Sequence, residues 1–327
     1  MNSSHQREVV LASNGEIHNP INLGIVSVII KCLCCSVGIP LNTSIAVTIT
    51  RFRRLQCGPR NFFLLAIILS YLSFFIPPAI ELIYWALYPE ESLCRVYVAV
   101  SIAPQGLLLT NMLLALTDRY LAINHPLLHR AKMKNRLAVY YIIICSLLTV
   151  FLMKFVYIVR LGILRCEVWL VHTKINGVVL IILFTSCTVL NVIIYRQTKA
   201  LLRESRTLPA TQDERDPSNE SPNVNNDATA VTPMRIHADR DKRSEMELKA
   251  TRTLVIGVAS LCVMPCIALI FIASYFACRL VSGKLACSHF TGLGPFMKDI
   301  SLTPAVYGPI IFLVRNRELR AAYNFFG

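Results

Sequence analysis

LTDRYLAINHPL, residues 116–127, joins two chemically different stretches. Before it, Val96 to Thr117 contains no Asp, Glu, Lys or Arg. After it come Arg130, Lys132, Lys134 and Arg136. A membrane-spanning helix needs about 20 mostly apolar residues. The preceding stretch has that length and composition, so Asp118 and Arg119 fall where a span meets water.

Six more stretches read the same way. They are Cys32 to Thr50, Asn61 to Ile80, Leu137 to Met153, Ile175 to Tyr195, Thr253 to Cys278 and Leu285 to Val314. The last is interrupted only by Lys298-Asp299, and Lys154 follows close on the fourth span. None alternates like a membrane β-strand. Helices satisfy their own backbone groups where lipid offers no partner, so the expected fold is an all-α seven-helix membrane bundle. Composition agrees: 54% hydrophobic, 16% charged, mean hydropathy +0.54, against about 25% charged residues in soluble domains.

The net charge of +14 is unevenly placed. Segments 51–60, 119–136, 196–252 and 315–327 hold 4, 5, 11 and 3 of the 33 Lys and Arg. Basic residues favour the cytoplasmic side. The N-terminus is therefore expected outside and the C-terminus inside, in a multi-pass plasma-membrane protein. Seven spans exclude nucleic acid as the reason for the basic charge. Residues 1–21 form a polar extracellular segment without the regions of a signal peptide, leaving the first span to direct insertion. Asn2-Ser3-Ser4 is a glycosylation sequon on the outer side. The bundle is expected over 22–315, with a disordered cytoplasmic loop at about 204–246 around SNESPNVNND. Residues 316–327 form a basic, aromatic, amphipathic tail on the inner leaflet.

Of 12 cysteines, four lie on the outer, oxidising side, where disulfides persist. The expected pairs are Cys94 with Cys166 and Cys278 with Cys287. Cys32, Cys34, Cys35, Cys145, Cys187, Cys262 and Cys266 lie within spans and read as small hydrophobes.

Seven spans, an outside N-terminus and LTDRYLAINHPL at the inner end of the third together resemble the rhodopsin-like (class A) family of G-protein-coupled receptors. The likeness covers roughly residues 20–325. Its most specific mark is Asp118-Arg119-Tyr120, followed by Pro126, with Cys94 25 residues before Arg119. At 1.5 Å per residue that spacing is about 37 Å, one membrane crossing. Further marks are Asn42, Asn61, Tyr195, Pro265 in C-V-M-P, and Thr303-Pro304 with Tyr307. The sequence departs from the family at Tyr71 (an Asp in span two), Cys187 (a Pro in span five), Val263 (a Trp in span six) and Thr303 (an Asn in span seven). The inner end is better preserved than the mid-membrane region.

The resemblance implies coupling to a heterotrimeric G protein. It implies that Arg119 pairs at rest with Asp118 and with an acid at the start of span six. Counting from Pro265 gives Glu245, and matching E-L-K-A-T-R-T-L gives Glu247; both stand. Freed Arg119 would meet Tyr195 and Tyr307. Pro265 and Pro304 remove helix bonds and allow kinks.

Ionisable residues inside spans point to function. Asp299 shares a helix face with Thr303. It is expected to replace the missing span-two acid and, with Asn42 and Thr303, to hold sodium. The alternative is that it neutralises Lys298 or Lys31. No other cofactor is expected. Lys298 suggests a retinal-binding, opsin-like receptor, but the matching position is Met297, one residue away.

The ligand is an unknown small molecule or peptide. Biogenic amines are disfavoured because Ser101 stands where amine receptors carry Asp. Tyr97, Ser101 and Gln105 share one helix face and are pocket candidates. Glu81 could serve a cationic ligand or neutralise Lys31 or Lys298. Membrane lipids are the remaining partners. A transporter or channel is the rival class, but no internal repeat supports it. The absence of H-E-x-x-H and G-x-S-x-G leaves no motif for an enzyme.

Overall fold

The computed structural model describes residues 24–56, 58–86, 96–97, 99–101, 103–158, 169–207, 251–252, 255–260 and 299–324, with single positions at 267, 270, 274 and 278. Among the described residues there are helices and turns but no strands. Among the described residues, five helices are long and apolar enough to cross a membrane. They fall on the first five predicted spans.

The first span is α1, Ile25–Arg51. A short α2, Arg53–Gln56, follows. The second span is divided into α3, Pro59–Ser73, and α4, Ile76–Ala86. The sequence reads it as continuous, but Pro77 and Pro78 cannot donate to the carbonyls of Ser73 and Phe74. The chain tightens just before them, where the Phe74 and Phe75 amides bond back three residues to Tyr71 and Leu72 at 3.1 and 3.2 Å.

The third span is α5, Ala103–Asn124. His125 breaks it, and α6, Pro126–Lys132, follows with Pro126 at its first position, where proline's missing donor costs nothing. The fourth span is α7, Asn135–Ile158. The fifth is α8, Trp169–Thr207, 39 residues long. At 1.5 Å per residue α8 is about 58 Å, longer than the bilayer core. It runs to Thr207, so the loop predicted to be disordered from about 204 begins as helix.

Asp299 and Ile300 are helical, residues 301–303 turn, and α9 covers Pro304–Arg315. Proline explains this break too. Pro304 leaves the Ile300 carbonyl without its usual donor, and Thr303 supplies two, its amide at 3.0 Å and its hydroxyl at 2.8 Å. The amphipathic tail forms α10, Arg317–Asn324. It lies against α1 and α9, with Leu319 buried and Tyr323 3.3 Å from the Ser44 hydroxyl.

Helix α5 is central, packing on α3, α6, α7 and α8. The core joins Ile45, Ile67, Ile68, Tyr71, Met112, Leu116 and Ile194. Outward faces of α7 and α8 are apolar, with Ile144, Leu147, Ile181 and Ile182 exposed. In water such a surface would be costly; against lipid it is what a span requires.

Candidate functional site: a basic coupling end and a buried charge cluster

Two groups of polar side chains stand out. The first lies at the basic end of the bundle, where α1 ends in Arg51 and α5 ends just beyond Arg119. Asp118 and Arg119 are both buried despite their charge. Arg119 Nε donates to Asp118 Oδ2 at 3.0 Å, and a second guanidinium nitrogen reaches the same oxygen. His129 Nε2 lies 2.8 Å from the other carboxylate oxygen, Oδ1. Both oxygens of Asp118 are thus engaged. Nearby, the side-chain amides of Asn124 and Gln197 pair reciprocally at 3.2 and 3.3 Å, tying α5 to α8.

Other predicted coupling residues are distributed around this end. Tyr120 is half-buried against the core. Tyr195 is exposed on α8. Tyr307 donates to the Ser260 carbonyl at 3.2 Å, connecting α9 to the helical segment 255–260. Pro304 is buried, and Thr303 repairs the break it causes. Glu245, Glu247 and Pro265 lie outside the described residues, as do Asn2, Cys94, Cys166, Cys287 and Lys298. Cys278 is disulfide-bonded. Cys187, where the family carries proline, is buried against the Leu109 carbonyl at 3.3 Å.

The second group lies towards the opposite end. Lys31 Nζ of α1 is 2.8 Å from Asp299 Oδ1 and 3.1 Å from Glu81 Oε2 of α4. It also touches the Ser27 hydroxyl. Glu81 accepts a hydrogen bond from Tyr97. Side-chain exposure is 4% for Lys31, 2% for Glu81 and 1% for Asp299. One ammonium therefore joins groups from the first, second and seventh spans, and Glu81 extends the cluster to the third. Isolated charges here would be very costly, and mutual pairing is what makes their burial tenable.

This arrangement bears on two of the open alternatives. Asp299 and Glu81 are partners of Lys31, which is the neutralising alternative for each. Of the predicted sodium ligands, Asn42 engages only its amide nitrogen, and its buried side-chain oxygen has no hydrogen-bond partner among the described residues. Asn42 donates to the carbonyls of Gly38 and Ala305 at 2.8 and 2.9 Å, and the Thr303 hydroxyl bonds Ile300. Among the described residues no cluster of three or more His, Cys, Asp or Glu could hold a metal. The pocket candidates are partly dispersed. Tyr97 and Ser101 are buried, and Gln105 is half-buried. The Ser101 amide bonds the Tyr97 carbonyl at 2.8 Å, which keeps those two stacked, but Ser101 itself lies in a turn ahead of α5.

Tyr71, where the family has aspartate, is fully buried. It lies so close beneath Gly308 that a Cβ there would stand 2.5 Å from its hydroxyl oxygen. A model of the family described as 7 transmembrane receptor (rhodopsin family) matches residues 41–312. The chain belongs to that family. It is thus a multi-pass membrane signalling receptor with a seven-helix bundle. No curated protein matches it significantly.

Several structural residues of the receptor escape sequence reading. Asn111 donates to Ser70 at 2.8 Å, and Ser146 approaches it at 3.5 Å. Thr110 and Thr149 share a hydroxyl contact of 2.8 Å. Lys154 Nζ reaches the Ser101 carbonyl at 2.8 Å. Polar residues at matching depths in adjacent spans are the signal that could have suggested these pairs. His129 carried no such signal.

Proposed function

We propose that this receptor carries the signal of an extracellular ligand to heterotrimeric G proteins in the plasma membrane, with Arg119 as the switch. The supporting observation is the buried guanidinium held against Asp118 at the basic end of α5. The distribution of Lys and Arg supports a cytoplasmic position for that end and an outside N-terminus.

Losing one partner of a buried ion pair costs about 3–5 kcal/mol. Moving a two-state equilibrium from 1:99 to 99:1 takes about 5.5 kcal/mol of differential affinity. The two scales match. A ligand that favours the released state by that amount would free Arg119 for the G protein, and a ligand with equal affinity for both states would do nothing. Release would use the breaks that Pro304 and Pro265 introduce. An acid at 245 or 247 would add to the resting clamp.

The ligand is a small molecule or peptide. Commitment of Glu81 to Lys31 and Tyr97 argues against a cationic amine, in line with Ser101 in place of an aspartate. The Lys31–Asp299 pair supports neutralisation of Asp299 in preference to a sodium site there.

Nucleotide exchange on a panel of G proteins tests this reading. Wild-type receptor should accelerate exchange on at least one member, and Arg119→Ala should reduce that acceleration severalfold at equal surface expression. Equal activity of the two proteins would refute the switch.

A further inference from the structure

The Asp118 carboxylate is bracketed. Arg119 occupies Oδ2, and His129 reaches Oδ1 at 2.8 Å from α6. Asp118 is almost wholly buried, whereas the His129 side chain keeps 14% exposure. An ionised carboxylate only accepts hydrogen bonds, so the hydrogen of this contact belongs to His129 Nε2. Among the described elements α6 packs on α5. The charged side chain α5 brings to His129 is Asp118, with Arg119 on its other carboxylate oxygen. Along its own segment His125, Lys132 and Lys134 are exposed.

The release of Arg119 poses a problem. Asp118 would remain a buried anion stripped of its nearest cation, which is strongly unfavourable. His129 is already in place to answer it. We propose that His129 is a positioning residue that inherits Asp118 when Arg119 leaves, holding a proton as its counter-charge in the coupling state. This rests on the switch reading of Arg119 given above.

The linkage has a definite sign. At rest, a proton on His129 meets the positive guanidinium on the far side of the same carboxylate. After release, it meets the carboxylate alone. The proton binds more tightly in the released state, so cytosolic acidification favours release. Histidine is the side chain whose charge ordinarily changes between about pH 5 and 8, so the effect falls within reach of the cell interior.

Two measurements test the assignment. In vesicles, receptor-stimulated exchange is followed across that pH range for wild type, His129→Tyr and His129→Phe. The wild-type signal, normalised to His129→Tyr at each pH, should rise severalfold toward the acid end. Tyrosine offers a hydroxyl donor but does not become a cation, and phenylalanine offers neither. Identical pH profiles for wild type and His129→Tyr would overturn the proposal. Independently of coupling, NMR of isotope-labelled histidine compares wild type with Arg119→Ala. The His129 ring should keep its proton to higher pH in Arg119→Ala, and superimposable titrations would overturn the proposal. A shifted titration in a receptor that drives no exchange would uphold the His129 assignment and sink only the coupling reading.

Discussion

Replacing Lys31 with methionine keeps the length of the side chain and removes its charge. The consequence follows from the geometry. The ammonium lies 2.8 Å from Asp299 and 3.1 Å from Glu81, and all three side chains are at most 4% exposed. Its loss leaves two carboxylates facing each other out of reach of water. Removing one partner of a buried ion pair costs about 3–5 kcal/mol, and a shared partner places this case at the upper end. At roughly 2–4 °C per kcal/mol for chains of this general size, Lys31→Met should lower the melting temperature by on the order of 10 °C. Fluorescence-detected melting of purified receptor in detergent or nanodiscs reads this directly. The decisive control is the triple variant Lys31→Met, Glu81→Gln, Asp299→Asn. Neutralising a whole buried ion set with groups of similar volume is often close to neutral, and the amide oxygen introduced at position 81 can still accept from Tyr97. The triple variant should therefore recover most of the loss. If Lys31→Met melts within about 1 °C of wild type, or the triple variant melts no higher than the single, the charge cluster does not hold the spans together as argued.

Three further outcomes follow from the geometry. Gly308→Ala drives a methyl group to within 2.5 Å of the Tyr71 hydroxyl oxygen and 2.7 Å of its Cζ; overpacking of this kind costs about 1–3 kcal/mol, and melting should recover when Tyr71→Leu is added. Asn111→Ala and Ser70→Ala should each destabilise by about 1 kcal/mol, near the usual range for hydrogen bonds between spans, while the double variant should fall short of their sum; strict additivity in the double-mutant cycle would count against the bond. Because Lys31 holds Asp299, basal exchange should not respond to sodium; a sodium response abolished by Asp299→Asn would restore the sodium reading.

The parts of the fold visible in sequence are those set by local composition. Twenty uncharged apolar residues can be counted without knowing their neighbours, and five of the seven counted stretches correspond to long helices among the described residues. Asp118 and Arg119 were legible for the same reason, being adjacent in the chain and placed at the end of a span. The breaks in the second and seventh spans were marked by Pro77-Pro78 and Pro304. Only the latter stands out as an interruption in sequence, because the former sits inside an uninterrupted apolar run. The charge cluster was half legible. Lys31, Glu81 and Asp299 each stood out as an ion in lipid, but their pairing depends on matching depth between helices separated by 50 and 218 positions. His129 was invisible because its contact requires the chain to turn at His125 and fold α6 back under α5. Nothing in the spacing of residues 118 and 129 announces that turn. Thr303 illustrates a substitution with a local rationale, since its hydroxyl caps the carbonyl that Pro304 orphans.

In the proposed switch, an acid at 245 or 247 pairing with Arg119 at rest holds the basic ends of the third and sixth spans together and lets them part on coupling. Asn124 and Arg252 are exposed near those ends and can carry site-specific spin labels. The distance between them, measured by pulsed electron resonance with and without nucleotide-free G protein, should shift to a longer population on coupling. In Arg119→Ala the longer population should already be present without G protein. A single distance unchanged by a bound G protein, and identical in Arg119→Ala, would contradict the account.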